Sequence, residues 1–191
     1  MIAVAETGTK EYFYFEAKDL NGNVGTLASV DEPFFMIIDR EPPVVEAANF
    51  NNRSYIGVTN RLSFNIKDFL SGVNASSVFV FWKYENETWS SGWLPMEYDE
   101  EEELFVAEWD TSNLPLNSSW YVFVNASDNL GNSKVVMFIV FVDNEYPKLV
   151  VETPTNGQVL GGVARLKIEV SDKASGIDLS SVKFSVGGII E

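Results

Sequence analysis

Apolar and polar residues alternate strictly in two separated stretches. In "LSFNI" (62–66), Leu62, Phe64 and Ile66 share one face. In "LKIEV" (166–170), Leu166, Ile168 and Val170 do the same. A period of two is that of a strand with one buried face. No stretch carries a helical period. Turn formers recur about every ten positions, at Ser71-Gly72, Asn86, Ser91-Gly92, Asn113–Pro115 and Gly131-Asn132. Between 40 and 145 the pattern predicts seven strands: A near 44–49, B 61–67, C 77–84, C′ 92–98, E 104–109, F 119–127 and G 134–142. Many short strands at this spacing predict an all-β antiparallel sandwich.

The two alternating stretches belong to a longer repeat. "RLSFNIKDFLSGVNASSV" (61–78) aligns without a gap on "RLKIEVSDKASGIDLSSV" (165–182), eight of eighteen positions being identical. "YFYFEAKDLNGN" (12–23) aligns on "YVFVNASDNLGN" (121–132) at an offset of 109, and "DREPP" (39–43) on "DNEYP" (143–147) at 104. The offsets differ because the first copy carries five extra residues between Asn23 and Asp39. Self-similarity at a fixed period marks a tandem array. The expected organisation is one complete unit at 40–145 between two truncated ones, the C-terminal half of a unit at 1–39 and the N-terminal half of another at 146–191. The two halves leave opposite ends of the middle unit, about 30 Å apart for nine-residue strands. A four-residue linker reaches only about 14 Å. The halves are therefore expected to pack poorly or to pair between chains.

The segments "D…SGV…SSV" and "EWDTSNLPLNSSWYVFVNASDNLGN", followed by a D-x-x-P linker, resemble the Ig-like repeats of prokaryotic surface proteins and secreted hydrolases. "V-x-A-x-D-x-x-G-N" with "VDNEYP" is faintly similar to cadherin repeats. The resemblance covers nearly the whole chain. It implies tandem Ig-like sandwiches acting as a spacer, stalk or adhesion module of a larger extracellular or cell-surface protein. The sequence lacks the Cys pair of antibody-type domains and the full acidic linker of cadherins.

Composition narrows the chemistry. The chain of 191 residues has no Cys and no His, which removes disulfide frameworks, zinc fingers and Ser-His-Asp triads. Net charge is −15, so a phosphate backbone is repelled and nucleic acid is not expected as a partner. The longest apolar run, "VVMFIVFV" (135–142), is too short for a membrane-spanning helix, and no membrane insertion is expected. The first ten residues lack the basic and apolar regions of a signal peptide. Five N-x-S/T sequons, at Asn52, Asn74, Asn86, Asn117 and Asn125, exceed the roughly two expected by chance on this composition and favour an extracytoplasmic setting. No P-loop, nucleophile elbow or dinucleotide fingerprint is present, and the acids Asp99–Glu103 read as a solvated turn rather than a paired catalytic set. No enzymatic activity is expected.

Two surface features are left. Trp82 and Trp120 fall on inward phases, but Trp89 and Trp93 border the C–C′ turn and are candidates for stacking on sugar rings. They carry the alternative reading, a carbohydrate-binding module attached to a secreted hydrolase, with polysaccharide as partner. Phe79, Phe81, Tyr121 and Phe123 fall on outward phases, where a solvated sheet should be polar. They predict an apolar outer face covered by another chain, a neighbouring unit or the C′–E segment.

Asp39 and Glu41 enter from the preceding unit beside Pro42 and Pro43, Asp68 closes strand B and Asp128 closes strand F. Strand alternation places all four at one end of the middle unit. Such oxygens suit Ca²⁺, which takes six to eight of them, and Asp143, Glu145 and Asp172 repeat the pattern at the next junction. The same acids equally suit Asx-turns, in which each carboxylate accepts from its own backbone.

Overall fold

A computed structural model describes residues 6–28, 31–57, 61–85, 89–186 and 189–190. The Asn86 sequon lies outside the described residues. The strands are β1 (Lys10–Phe13), β2 (Phe15–Lys18), β3 (Val24–Leu27), β4 (Phe34–Ile37), β5 (Val44–Ala47), β6 (Ser54–Ile56), β7 (Arg61–Lys67), β8 (Phe79–Tyr84), β9 (Leu94–Pro95), β10 (Glu97–Asp99), β11 (Leu104–Glu108), β12 (Ser119–Ser127) and β13 (Ser133–Val142). They continue as β14 (Lys148–Thr153), β15 (Lys167–Ser171), β16 (Ser185–Val186) and β17 (Ile189–Ile190). The protein is all-β. Its described helical segments are single 3-10 turns at Ala75–Ser77 and Leu179–Ser181.

The middle unit consists of two sheets on one core. One sheet has the order β10-β11-β7-β5 and the other β6-β13-β12-β8-β9. The alternation in the sequence decides which side chains enter the core. Leu62, Phe64 and Ile66 of β7 face Val80 and Trp82 of β8, Val122, Val124 and Ala126 of β12, and Val140 and Val142 of β13, all buried. Trp82 stacks on Trp109 at 5.1 Å between ring centroids, and Trp109 meets Trp120 edge-on at 5.4 Å. These three indoles fill one end of the core, as expected for Trp82 and Trp120.

The predicted strand set needs two corrections. Strand C′ (92–98) is not continuous. β9 pairs with β8 in one sheet, whereas β10 pairs with β11 in the other. The chain changes sheets at Met96, which is buried and donates its amide to Val78 O at 3.0 Å. The second correction is an addition. After β5 the chain crosses over, and β6 pairs parallel to the end of β13. Nothing in its "SYI" alternates long enough to announce a strand. Neighbouring strands supply its register.

The flanking hairpins repeat the pairing of the middle unit. In β14–β15, Lys148, Leu149, Val150 and Val151 pair with Ser171, Val170, Glu169 and Ile168. In β5–β7, Val44, Val45, Glu46 and Ala47 pair with Lys67, Ile66, Asn65 and Phe64. Every pair matches at an offset of 104. The β2–β3 pairing Glu16↔Thr26 matches Asn125↔Val135 at 109 on both sides. Beyond the five extra residues, Phe13↔Phe34 matches Val122↔Phe138, with offsets of 109 and 104. The insertion is absorbed in the segment between β3 and β4 without disturbing either end.

What differs is burial. Val124 is 0% exposed, whereas Phe15 at the same register position is 59% exposed. The pattern recurs in the other hairpin, where Leu149, Val151 and Leu166 on the core phase are all exposed.

Candidate functional site at the acidic junction

The site is built by two short loops and the linker before β5. After β7, the Asp68 carboxylate Oδ1 accepts from the backbone amides of Leu70, Ser71 and Gly72 at 3.2, 2.9 and 2.8 Å. Gly72 holds φ +78°, which closes this loop in a conformation that costs glycine little. After β12, Asp128 Oδ1 accepts from the Leu130 and Asn132 amides at 2.9 and 2.8 Å, and its Oδ2 accepts from Asn132 Nδ2 at 2.6 Å. The two loops are joined by Asn129, whose Nδ2 donates to Ser71 O at 2.8 Å and whose amide donates to Gly72 O at 3.0 Å.

Asp39 arrives from the linker and completes the arrangement. Its Oδ2 accepts from the Ser71 amide at 3.1 Å, and its carbonyl accepts from Asn132 Nδ2 at 3.4 Å. Carboxylate oxygens of Asp39, Asp68 and Asp128 all lie within 4.8 Å of one another. Three of the four acids picked from the sequence therefore converge. Glu41 is outside the group and contributes its backbone amide, which donates to Asp39 Oδ1 at 3.2 Å.

Asp128 is 1% exposed. Burial works to raise its pKa. Hydrogen bonds from Asn132, Ser71 and Leu130 outweigh this and hold the carboxyl below its ordinary range. The cluster is thus an array of charge-assisted acceptors, each supplied with N–H donors from its own or a neighbouring loop.

The same bonds recur 104 residues on. Asp172 Oδ1 accepts from the Ala174 and Gly176 amides at 2.9 and 2.8 Å, and Asp143 Oδ2 accepts from the Ser175 amide at 2.9 Å. Hydrogen bonds from Ala174, Gly176 and Ser175 hold the Asp172 pKa low. Glu145 donates its amide to Asp143 Oδ1, as Glu41 does to Asp39. Asp19 repeats the Asp128 loop, taking Asn21 N, Asn23 N and Asn23 Nδ2 at 2.9, 2.8 and 2.6 Å. Asn23 and Asn132 are the loop donors that residue-type reasoning passed over. Their signal is visible as the repeated "GN" after each Asp.

Phe79, Phe81, Tyr121 and Phe123 are half-buried and alternate with the fully buried Val80, Val122 and Val124. Phe81 meets Phe123 at 5.5 Å and Trp93 at 5.3 Å, while Tyr121 donates its hydroxyl to Glu85 at 2.9 Å. Trp93, at the C–C′ turn, lies against one edge of the face. Val135 and Met137 extend the face and are exposed.

Trp89 and Trp93 are both half-exposed but turn to different surroundings. Trp89 stands edge-on to Trp120 at 5.7 Å, beside Tyr84, Leu114 and Pro115. Trp93 is inclined 40° to Phe81. The acids after β10 form the expected turn, with Arg61 bridging Asp99 and Glu102. Among the sequons, Asn74 caps the 3-10 turn by accepting from Ser76 N, and Asn125 lies on the outward phase of β12. Among the described residues no helix is long and apolar enough to cross a membrane. No protein-family model matches this chain, and no curated protein matches its sequence.

Proposed function

We propose that the chain is a non-catalytic array of tandem Ig-like sandwich units, a spacer or adhesion stalk within a larger extracellular or cell-surface protein. The observation that carries this reading is the pair of bonds Asp39–Ser71 and Asp143–Ser175, which are the same contact at successive junctions. A linker acid that accepts from the loop after β7, or its counterpart after β15, fixes the direction in which that unit leaves. Repeated, it makes a stiff rod rather than a flexible string. The sheet order with β6 parallel to β13 fits an Ig-like unit, and the excess of sequons favours the extracytoplasmic setting.

Residual dipolar couplings of the full chain test the reading. One alignment tensor should fit the hairpin β1–β4 and the middle unit together, and Asp39→Ala should require two. Separate tensors in the wild type would overturn it. The acceptors at the junction are already supplied with backbone donors, so the lock needs no ion. A Ca²⁺ titration of chelator-treated protein is the informative second arm. Heat and a raised melting temperature at millimolar Ca²⁺ would assign the cluster Asp39, Asp68 and Asp128 to the metal instead.

A second reading, a carbohydrate-binding module, is favoured by the half-exposed Trp89 and Trp93. Trp89 packs on Trp120 and Trp93 on Phe81, with no ring contact between the two, so the spacer reading is the stronger. Retention on insoluble polysaccharide, lost in Trp93→Ala, would reverse that order.

A further inference from the structure

One of the sequons and the apolar outer face of the middle unit coincide. Asn125 stands on the outward phase of β12, directly opposite Phe79 of β8 and Val135 of β13. Phe123 lies two residues back on the same strand and shares its face. A primary amide is thus set among three apolar side chains. Among the described residues neither the Asn125 amide nor the Ser127 hydroxyl has a hydrogen-bond partner. No described half-buried or buried residue hides an unpartnered side-chain nitrogen or oxygen, so the Asn125 amide is open to solvent. The other described sequons differ. Asn52 Oδ1 accepts from the Ile139 amide at 2.8 Å, Asn74 Oδ1 from Ser76 Oγ at 2.7 Å and Asn117 Oδ1 from the Tyr55 hydroxyl at 3.0 Å. In β12 the acceptor and the hydroxyl of the sequon point the same way, with Ala126 buried between them.

We propose that Asn125 is an N-glycosylation site and that the first sugar of its glycan lies on Phe79 and Phe123, covering the outer face. The proposal rests on the extracytoplasmic part of the reading above and names a modification within it. The donor is a lipid-linked oligosaccharide pyrophosphate. Asn125 Nδ2 attacks the anomeric carbon, the bond from that carbon to the phosphate oxygen breaks, the lipid pyrophosphate leaves with the electron pair, and Nδ2 gives up one proton. No existing hydrogen bond of Asn125 is lost. Neighbours directly across the strands stand about 5 Å away, and the neighbour along the strand about 7 Å. A sugar joined to Nδ2 reaches both rings, and its apolar C–H face matches theirs while its hydroxyls stay in water.

Other occupants fit this face less well. A protein partner would bury the Asn125 amide inside an apolar contact, which is unfavourable unless the partner supplies a hydrogen bond there. A second copy carries the same net charge of −15 and is repelled. A glycan needs neither, because its attachment point is the polar group that would otherwise be stranded.

The full chain, secreted from a eukaryotic host behind a supplied signal peptide, tests the proposal. Peptide mass spectrometry should find Asn125 modified in the wild type and unmodified in Ser127→Ala. Both proteins are also made in a host without the transferase, so that the effect of Ser127→Ala itself can be subtracted. The glycan at Asn125 should then raise the melting temperature by about 4 °C, the shift of one aromatic contact in a domain of this size. The shift should survive enzymatic trimming to a single N-acetylglucosamine and vanish in the double variant Phe79→Thr with Phe123→Thr. An unchanged near-ultraviolet signal of Trp82, Trp109 and Trp120 reports a folded core in every variant. An unmodified Asn125, a shift lost on trimming, or a shift kept in the double variant would each overturn the proposal. So would an unglycosylated chain that dimerises with rising concentration and is split by Phe123→Glu, since a second copy would then hold the face. The host supplies the secretory setting, so these outcomes judge the site alone, and the dipolar couplings judge the spacer reading separately.

Discussion

Phe64 and Ile168 hold the same place in two hairpins, opposite Ala47 and Val151 respectively, yet Phe64 is 0% exposed and Ile168 is 41% exposed. Equal local structure with unequal burial predicts unequal energetics. Phe64→Ala removes a side chain packed against Phe50 and Phe138 and leaves a cavity, so it should cost about 3–5 kcal/mol. In dilute protein, Ile168→Ala should cost less than about 1 kcal/mol. Urea unfolding followed by tryptophan fluorescence checks the first value. Loss of the strand amide signals of β14–β15 checks the second.

The Asp128 carboxyl is held below its ordinary value of 3.8. A depressed folded pKa contributes stability that is present above the unfolded pKa and is lost as pH falls through the lower, folded value. Asp128→Asn removes that contribution. The variant should melt below the wild type at neutral pH, and the gap should narrow as the pH is taken from about 5 to about 2. A gap that stays constant across this range would mean that Asp128 acts only through its shape.

Gly131 turns the β12–β13 hairpin at φ +92°, and Gly22 does the same at +90° in the β2–β3 hairpin. Open space surrounds both positions, so an added methyl group meets only the strained backbone. Gly131→Ala should cost about 1 kcal/mol or slightly more through that strain. Asn132→Ala in the same turn removes the donor to Asp128 Oδ2 and to Asp39 O. It should lower the melting temperature and, unlike Gly131→Ala, should have a smaller effect in an Asp128→Asn background, the remainder being the bond to Asp39 O. Differential scanning calorimetry of the wild type, the three single variants and the two double variants decides this.

The outer face offers a test in the opposite direction. Phe81 and Phe123 pack on each other outside the core. Replacing both with Thr keeps strand preference and removes apolar surface. The double variant should bind less of a hydrophobic dye such as ANS and change stability by no more than about 1 kcal/mol. A loss of several kcal/mol would show that these rings support the fold from outside.

The sequence by itself determined the strand content, the inward phases and the repeat. Alternation at 62–66 decides which residues of β7 meet the core, because a one-residue slip would turn Leu62, Phe64 and Ile66 to solvent. The loop acids Asp68, Asp128 and Asp39 were also legible, because strand alternation alone sends the ends of β7 and β12 to the same end of the unit. Tertiary structure decided the rest. Only the second sheet pulls Met96 inward and splits the segment 92–98 between two layers. Only the edge of β13 gives Ser54–Ile56 a partner. Asn132 joins the junction through a contact with Asp39, 93 residues away, which no local pattern encodes. The difference between Phe64 and Ile168 has the same origin. Hydrophobic pattern specifies which face of a strand is ready for burial, and whether burial occurs depends on an opposing sheet that the strand's own residues do not contain.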